Sequence, residues 1–139
     1  MNIESIKKML DGVTYLGNTL GLELLSTSDP NTCEAILKVT QELSQPFGYL
    51  NGGTSLAVAE HIAGVGSAAL CPGKMPVGTS VTANHLTPIP VGDTIKAVAK
   101  ILHQGNTMHV WNVDILNEKG EIASTARVTN YIIDPQQQS

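Results

Sequence analysis

Positive charge is scarce in this chain and nowhere clustered. Eight lysines and arginines stand against 12 acids in 139 residues, for a net charge of −4. No basic patch or stripe is present to hold a nucleic acid by its phosphates, which argues against a nucleic-acid partner. Only two cysteines occur, Cys33 and Cys71, without CxxC spacing and without a histidine at ligand distance in sequence. They read as two reduced thiols. The four histidines lack ligand spacing as well, so no metal is expected. No apolar run suits a bilayer span, and the opening MNIESIKKML lacks the apolar core and cleavage site of a signal peptide. A cytoplasmic protein with no membrane association is the expectation. A GxSxG elbow, a Walker loop and an HExxH helix are all missing. Charged residues make up only 14%; with many small residues, this hints at a face buried against another subunit.

What is there suits a single domain spanning 1–139. Ile3, Ile6, Met9, Leu10 and Val13 recur at helical spacing and predict a short amphipathic helix ending near Gly12. Leu20, Leu22 and Leu24 alternate with polar or small neighbours, as do Cys33, Ala35, Leu37 and Val39, and predict two strands. Asp29-Pro30-Asn31 between them is turn chemistry. A long apolar segment, about residues 54–70, reads as a helix stopped by Pro72-Gly73. Four strands follow: Val77 to Leu86, Thr94 to His103, Met108 to Leu116 and Glu121 to Ile133. Their hairpin-length connections favour an antiparallel sheet. The whole predicts an α+β domain, a sheet curled around an apolar helix, with a frayed polar tail from Asp134.

The stretch QPFGYLNGGTSLAVAEHIAGVGSAAL, Gln45 to Leu70, carries the candidate chemistry. The helix has almost no polar face, which places it inside a protein. Glu60 and His61 stand at its middle, and a carboxylate in apolar surroundings needs a partner or a task. Desolvation there would strengthen Glu60 as base or nucleophile. Asn51-Gly52-Gly53 begins the helix, where backbone N–H groups lack intrahelical partners and can donate to a developing oxyanion. Gln45 offers an amide NH2 to a carbonyl. Together the three point to acyl transfer. Each also has a structural alternative: Glu60 paired with His61 or a buried amide, the glycines as a tight turn, and Gln45 as a loop residue. Gly64-Val65-Gly66 reads as small residues letting the helix pack closely on a sheet, not as a nucleotide loop.

Spacing adds a constraint. Gly52 and Glu60 are separated by about 12 Å along one helix, too far to touch one carbonyl group. A site using both needs Gly52 of one copy and Glu60 of another, hence a dimer with antiparallel helices and two shared sites.

The element order and the run QPFGYLNGG…AVAEHIAG resemble the hot-dog-fold acyl-CoA thioesterases. The similarity continues through VGTSVTANHL, ILHQGNTMHVWNVDILNEKG and ASTARVTNYII. The branch resembled hydrolyses 1,4-dihydroxy-2-naphthoyl-CoA, in menaquinone synthesis, and 4-hydroxybenzoyl-CoA. The resemblance implies Glu60 as the catalytic carboxylate, attacking the thioester carbon or activating water. It implies Gly52 as the backbone donor to the thioester oxygen and Gln45 as the positioning amide. Substrate and CoA contacts are implied for Asn51, Gly53, His61, Gly64, Gly78 and His85. They are also implied for the hairpin residues His103, Gly105, Asn106 and Thr107. An acyl-CoA substrate, no cofactor and a homodimer paired into a homotetramer go with it. The chain departs from the pattern of the family it resembles in four places. Asn51 replaces a histidine, Gly64 a hydroxyl residue, and Thr87 and Thr107 basic residues, leaving Lys74, Lys96, Lys100 or Arg127 for the CoA phosphates. A hot-dog protein that binds a thioester without hydrolysing it, and a hot-dog dehydratase, are the competing readings.

Overall fold

Alternation places the strands where the apolar period demands. Cys33, Ala35 and Leu37 are buried from β2 (Thr32–Lys38), and Ile95, Ala97 and Ala99 from β4 (Thr94–Gln104). Trp111, Val113 and Ile115 of β5 (Met108–Leu116) join them, as do Ala126 and Val128 of β6 (Ile122–Ile133). With β1 (Glu23–Leu25) and β3 (Met75–His85), they make a six-stranded sheet in the order β1-β2-β4-β5-β6-β3, antiparallel at every pairing. This computed structural model describes residues 1–135; the rest of the expected polar tail, 136–139, lies outside them.

The long helix, α3 (Gly52–Leu70), lies across one face of the sheet and packs on β2, β3, β4, β5 and β6. It starts two residues before the expected 54, because the glycine pair forms its first turn. Gly66 sets how close the helix comes: a Cβ there would collide with the Trp111 indole, so only glycine fits without repacking. Gly64, by contrast, has open space where its Cβ would be, so the small-residue reading holds for Gly66 alone.

Two expectations are corrected. Leu20 belongs not to a strand but to a short helix, α2 (Leu16–Leu20), which follows α1 (Glu4–Leu10). Gly21 ends α2 in the left-handed conformation (φ 83°) that glycine reaches without strain, so β1 begins only at Glu23. Residues 86–93 are not a hairpin, since β3 pairs with β6 at the far edge and β4 lies between β2 and β5. Pro88 and Pro90 have no N–H for a ladder. Ile89 is buried instead, and its carbonyl accepts from Leu50 N–H at 2.8 Å while Val91 N–H donates to Gly48 O at 3.0 Å. The crossover thus braces the Gln45–Gly52 loop. The sheet does curl around α3, which packs on five of its six strands, but it leaves one side uncovered. Residues 53 and 60 are exposed, and Leu56, Ala57, His61 and Gly64 are only half-buried, so one side of the helix stays open in the single chain.

A buried polar cluster clamps the other end of α3 to the sheet. Ser67 Oγ accepts from Trp111 Nε1 at 2.9 Å and from Asn130 Nδ2 at 3.1 Å, and lies 2.8 Å from His109 Nδ1. With both lone pairs used, the hydroxyl must donate to His109 Nδ1, which fixes the proton of the neutral ring on Nε2, 3.6 Å from Cys71 Sγ. Burial, with a smaller contribution from His103, holds the His109 imidazole below the usual histidine range. A folded-state value below the unfolded one means that the unfolded chain takes up the proton first as pH falls. Stability from this site is therefore full above about pH 6.5 and lost below it. The unfolding midpoint should fall as the pH drops below about 6.5, and His109→Gln should show a shallower fall. An equal fall in both proteins would exclude His109 as its source.

Candidate active site

The first turn of α3 leaves one donor unspent. Asn51 caps the helix, its Oδ1 accepting from Gly53 N–H at 2.7 Å, while its carbonyl accepts from Thr54 N–H at 3.0 Å and Ser55 N–H at 3.2 Å. The Gly52 N–H has no acceptor among the described residues. The expectation of two bare glycine amides therefore narrows to Gly52 alone.

Gly52 lies against His85, whose Nε2 would be 2.8 Å from a Cβ at that position. The ring is held from behind by Ser124, whose Oγ is 2.8 Å from His85 Nδ1. The two residues are cross-strand partners in the β3–β6 ladder. Gln45 is half-buried, and its Oε1 accepts from Phe47 N–H, so the amide NH2 is the end left to donate outward. Gln45, Gly52, His85 and Ser124 share a cavity of about 350 Å³.

Glu60 lies elsewhere. It borders a second cavity of about 490 Å³ with His61, Gly64 and Gly78, walled by Ile6, Met9 and Leu10 of α1 and by Tyr15. Contrary to the expected desolvation, its side chain is exposed in the single chain. It has no hydrogen-bond or ion-pair partner among the described residues, so neither His61 nor a buried amide of its own chain pairs with it. His61 does not pair with it; His61 Nδ1 turns back to the Ala57 carbonyl at 2.7 Å. What locates Glu60 is Gly78: a Cβ there would collide with its Oε1. The β3–β6 register shifts between Gly78 and Ser80, a bulge beside the carboxylate.

Gly78→Ala should therefore cost little stability, because the exposed Glu60 side chain can swing away. It should cost activity, because the carboxylate no longer sits where the glycine lets it. An unchanged melting curve with kcat/KM about tenfold lower or worse is the expected result. Equal activity would show that the Gly78 contact does not position Glu60.

The hairpin residues His103, Gly105, Asn106 and Thr107 line neither cavity. Thr107 O accepts from Ile132 N–H at 2.8 Å, which puts the hairpin at the sheet end where Gly78 pairs with Asn130, away from His85. Gly53 and Asn51 are exposed and serve the helix cap. Sequence reasoning missed Ser124 and Tyr15. A serine facing a histidine becomes visible only once the β3–β6 register is known, and Tyr15 had no pattern to mark it. No group of His, Cys, Asp or Glu able to hold a metal exists among the described residues. No described helix is long and apolar enough to cross a membrane.

This fold is that of a known class. Residues 47–124 match the family model described as "Thioesterase superfamily". A 1,4-dihydroxy-2-naphthoyl-CoA hydrolase from Listeria monocytogenes is 35% identical over 115 residues, covering 82% of this chain and 92% of that protein. An Escherichia coli protein of the same name is 36% identical over 104 residues, covering 74% and 76%. The solved thioesterase from Haemophilus influenzae superposes with a TM-score of 0.86 at 28% identity, covering 100% of this chain and 96% of that one. The chain belongs to the thioesterase superfamily and has its hot-dog fold. It is a thioester hydrolase.

Proposed function

We propose that the protein hydrolyses aromatic acyl-CoA thioesters at a site shared by two copies, with 1,4-dihydroxy-2-naphthoyl-CoA as the leading substrate. The observation that carries the reading is the separation of Gly52 and Glu60 on one rigid helix, in two cavities that share no lining residue. One carbonyl group cannot reach both within a chain. Two antiparallel copies of α3 bring the open side of each helix, with Glu60, to the N-terminus of the other. β3 supports such an arrangement: it is an 11-residue edge strand with an unpaired side and mostly exposed residues, which single chains seldom leave uncovered.

In the shared site the free Gly52 N–H and the Gln45 amide take the thioester carbonyl oxygen. Glu60 of the other copy either attacks the carbonyl carbon or removes a proton from the water that does. A C–O bond forms, the carbonyl electrons move onto the oxygen held by Gly52, and collapse expels CoA thiolate as the C–S bond breaks. Where Glu60 attacks, water then cleaves the resulting anhydride; on either route the products are a carboxylate and CoA thiol. His85, held by Ser124, borders the passage beside Gly52. Lys96 pairs with Glu34 at 3.0 Å, which leaves Lys74, Lys100 and Arg127 as the freer cations for the CoA phosphates.

The relatives' printed substrate supports the aromatic acyl group, and the largely apolar Glu60 cavity is roomy enough for a ring system. Thiol release from 1,4-dihydroxy-2-naphthoyl-CoA, measured beside fatty acyl-CoA and acyl-ACP esters, tests the reading. Fastest release from the aryl ester is expected; release only from fatty acyl or ACP esters would overturn the substrate class.

A further inference from the structure

We infer that His61 reads a hydrogen-bond donor on the acyl group, so that the site prefers hydroxylated rings to the same rings without the hydroxyl. The inference rests on the thioester-hydrolase reading proposed above.

The carbonyl of Ala57 can only accept, so the 2.7 Å contact makes His61 Nδ1 the donor. A neutral imidazole has one N–H. Spending it on Ala57 leaves Nε2 with a lone pair, as an acceptor. The same bond ties Nδ1 to the helix backbone and turns the opposite side of the ring away from it. The ring is fixed a second time by Tyr15, whose ring centroid is 5.9 Å away at an interplanar angle of 35°. Tyr15 can lie there because residue 17 is glycine, where a Cβ would come within 2.6 Å of the tyrosine ring. Gly17, Tyr15, His61 and Ala57 thus form one chain of contacts that holds an acceptor at the cavity wall.

The rest of the wall leaves this acceptor without a partner. Ile6, Met9, Leu10 and Val65 have nothing to donate, and the Tyr15 hydroxyl, which lies over Gly17, makes no hydrogen bond to His61 among the described residues. Asn130 is buried and gives one amide N–H to Ser67, and Glu60 is assigned to the reaction. A ligand covering His61 without donating to it strips Nε2 of water and gives nothing back, whereas a ring hydroxyl replaces that water. Sites built this way discriminate strongly against the analogue lacking the group. Because His61 is only half-buried, the expected preference is nearer tenfold than the extremes.

The experiment compares kcat/KM by thiol release for hydroxybenzoyl-CoA isomers against benzoyl-CoA, and for 1-hydroxy-2-naphthoyl-CoA against 2-naphthoyl-CoA. The wild type should prefer at least one hydroxylated partner by about tenfold or more. In His61→Phe the ratio should collapse toward one, whatever the level of turnover, and His61→Gln, whose amide oxygen can accept, should restore part of it. A ratio unchanged in His61→Phe, or a wild type without preference, overturns the inference while leaving hydrolysis intact. Absence of thiol release from every ester by the wild type overturns the underlying reading instead. Should His61→Phe turn over too slowly to measure, calorimetry with the non-hydrolysable CoA thioethers of the same ring pairs reads the same ratio. Equal loss of affinity for both rings in the variant would then contradict the assignment.

Discussion

Glu60→Ala should lower kcat/KM for an aryl-CoA thioester by about 10²–10⁴-fold, the range typical of a lost general base, or further if Glu60 is the nucleophile. The melting curve should hardly move. Both halves follow from the same surroundings: the carboxylate is exposed, has no partner among the described residues, and touches the chain mainly at Gly78. Removing it breaks no hydrogen bond and opens no cavity in the core, so the usual routes by which a substitution unfolds a protein are closed. Loss of turnover with retained stability would therefore report chemistry. Glu60→Gln keeps the shape and removes the basic oxygen, and should be nearly as inactive. Turnover within a fewfold of wild type in both variants would take Glu60 out of the mechanism.

The second large effect concerns a single N–H. Gly52 is the first residue of α3, where proline is well tolerated, and Asn51 before it has φ −68° and ψ 134°, the conformation that a residue preceding proline prefers. Gly52→Pro deletes the one donor of this turn that the fold does not use. It also adds a Cβ that would press on His85 Nε2 at 2.8 Å, and Gly52→Ala adds the same atom while keeping the N–H. The contrast between the two isolates the hydrogen bond. Proline should be slower than alanine by about 10²–10³ in kcat, the loss expected for one oxyanion donor. Equal rates for the two would assign any loss to the displaced histidine.

These residues show where sequence was informative. The period of two in β2, β4 and β5 and the apolar length of α3 made the α+β architecture legible, because burial on one face imposes those periods. The separation of Gly52 from Glu60 was legible too, since helix rise alone sets it, and the structure puts the two in different cavities. The crossover at 86–93 was not, because a short proline-rich segment looks the same whether it turns back or spans the end of a sheet. Nor was the exposure of Glu60: an all-round apolar helix looks enclosed, whereas in the single chain its side at residues 56, 57, 60 and 64 stays open. The roles of Ser124, Tyr15 and Gly78 depend on strand register and close approach, which no local pattern encodes.

Mixing the two inactive variants tests the shared site most directly. Glu60→Ala and Gly52→Pro chains are unfolded and refolded together in equal amounts, and thiol release from the aryl-CoA ester is compared with each variant refolded alone. If Glu60 works with Gly52 of the other copy, every mixed dimer has one site with both groups intact, and random pairing restores about a quarter of wild-type activity. If each site lay within one chain, every site in the mixture would keep a defect and activity would stay at the level of the single variants, which would contradict the account.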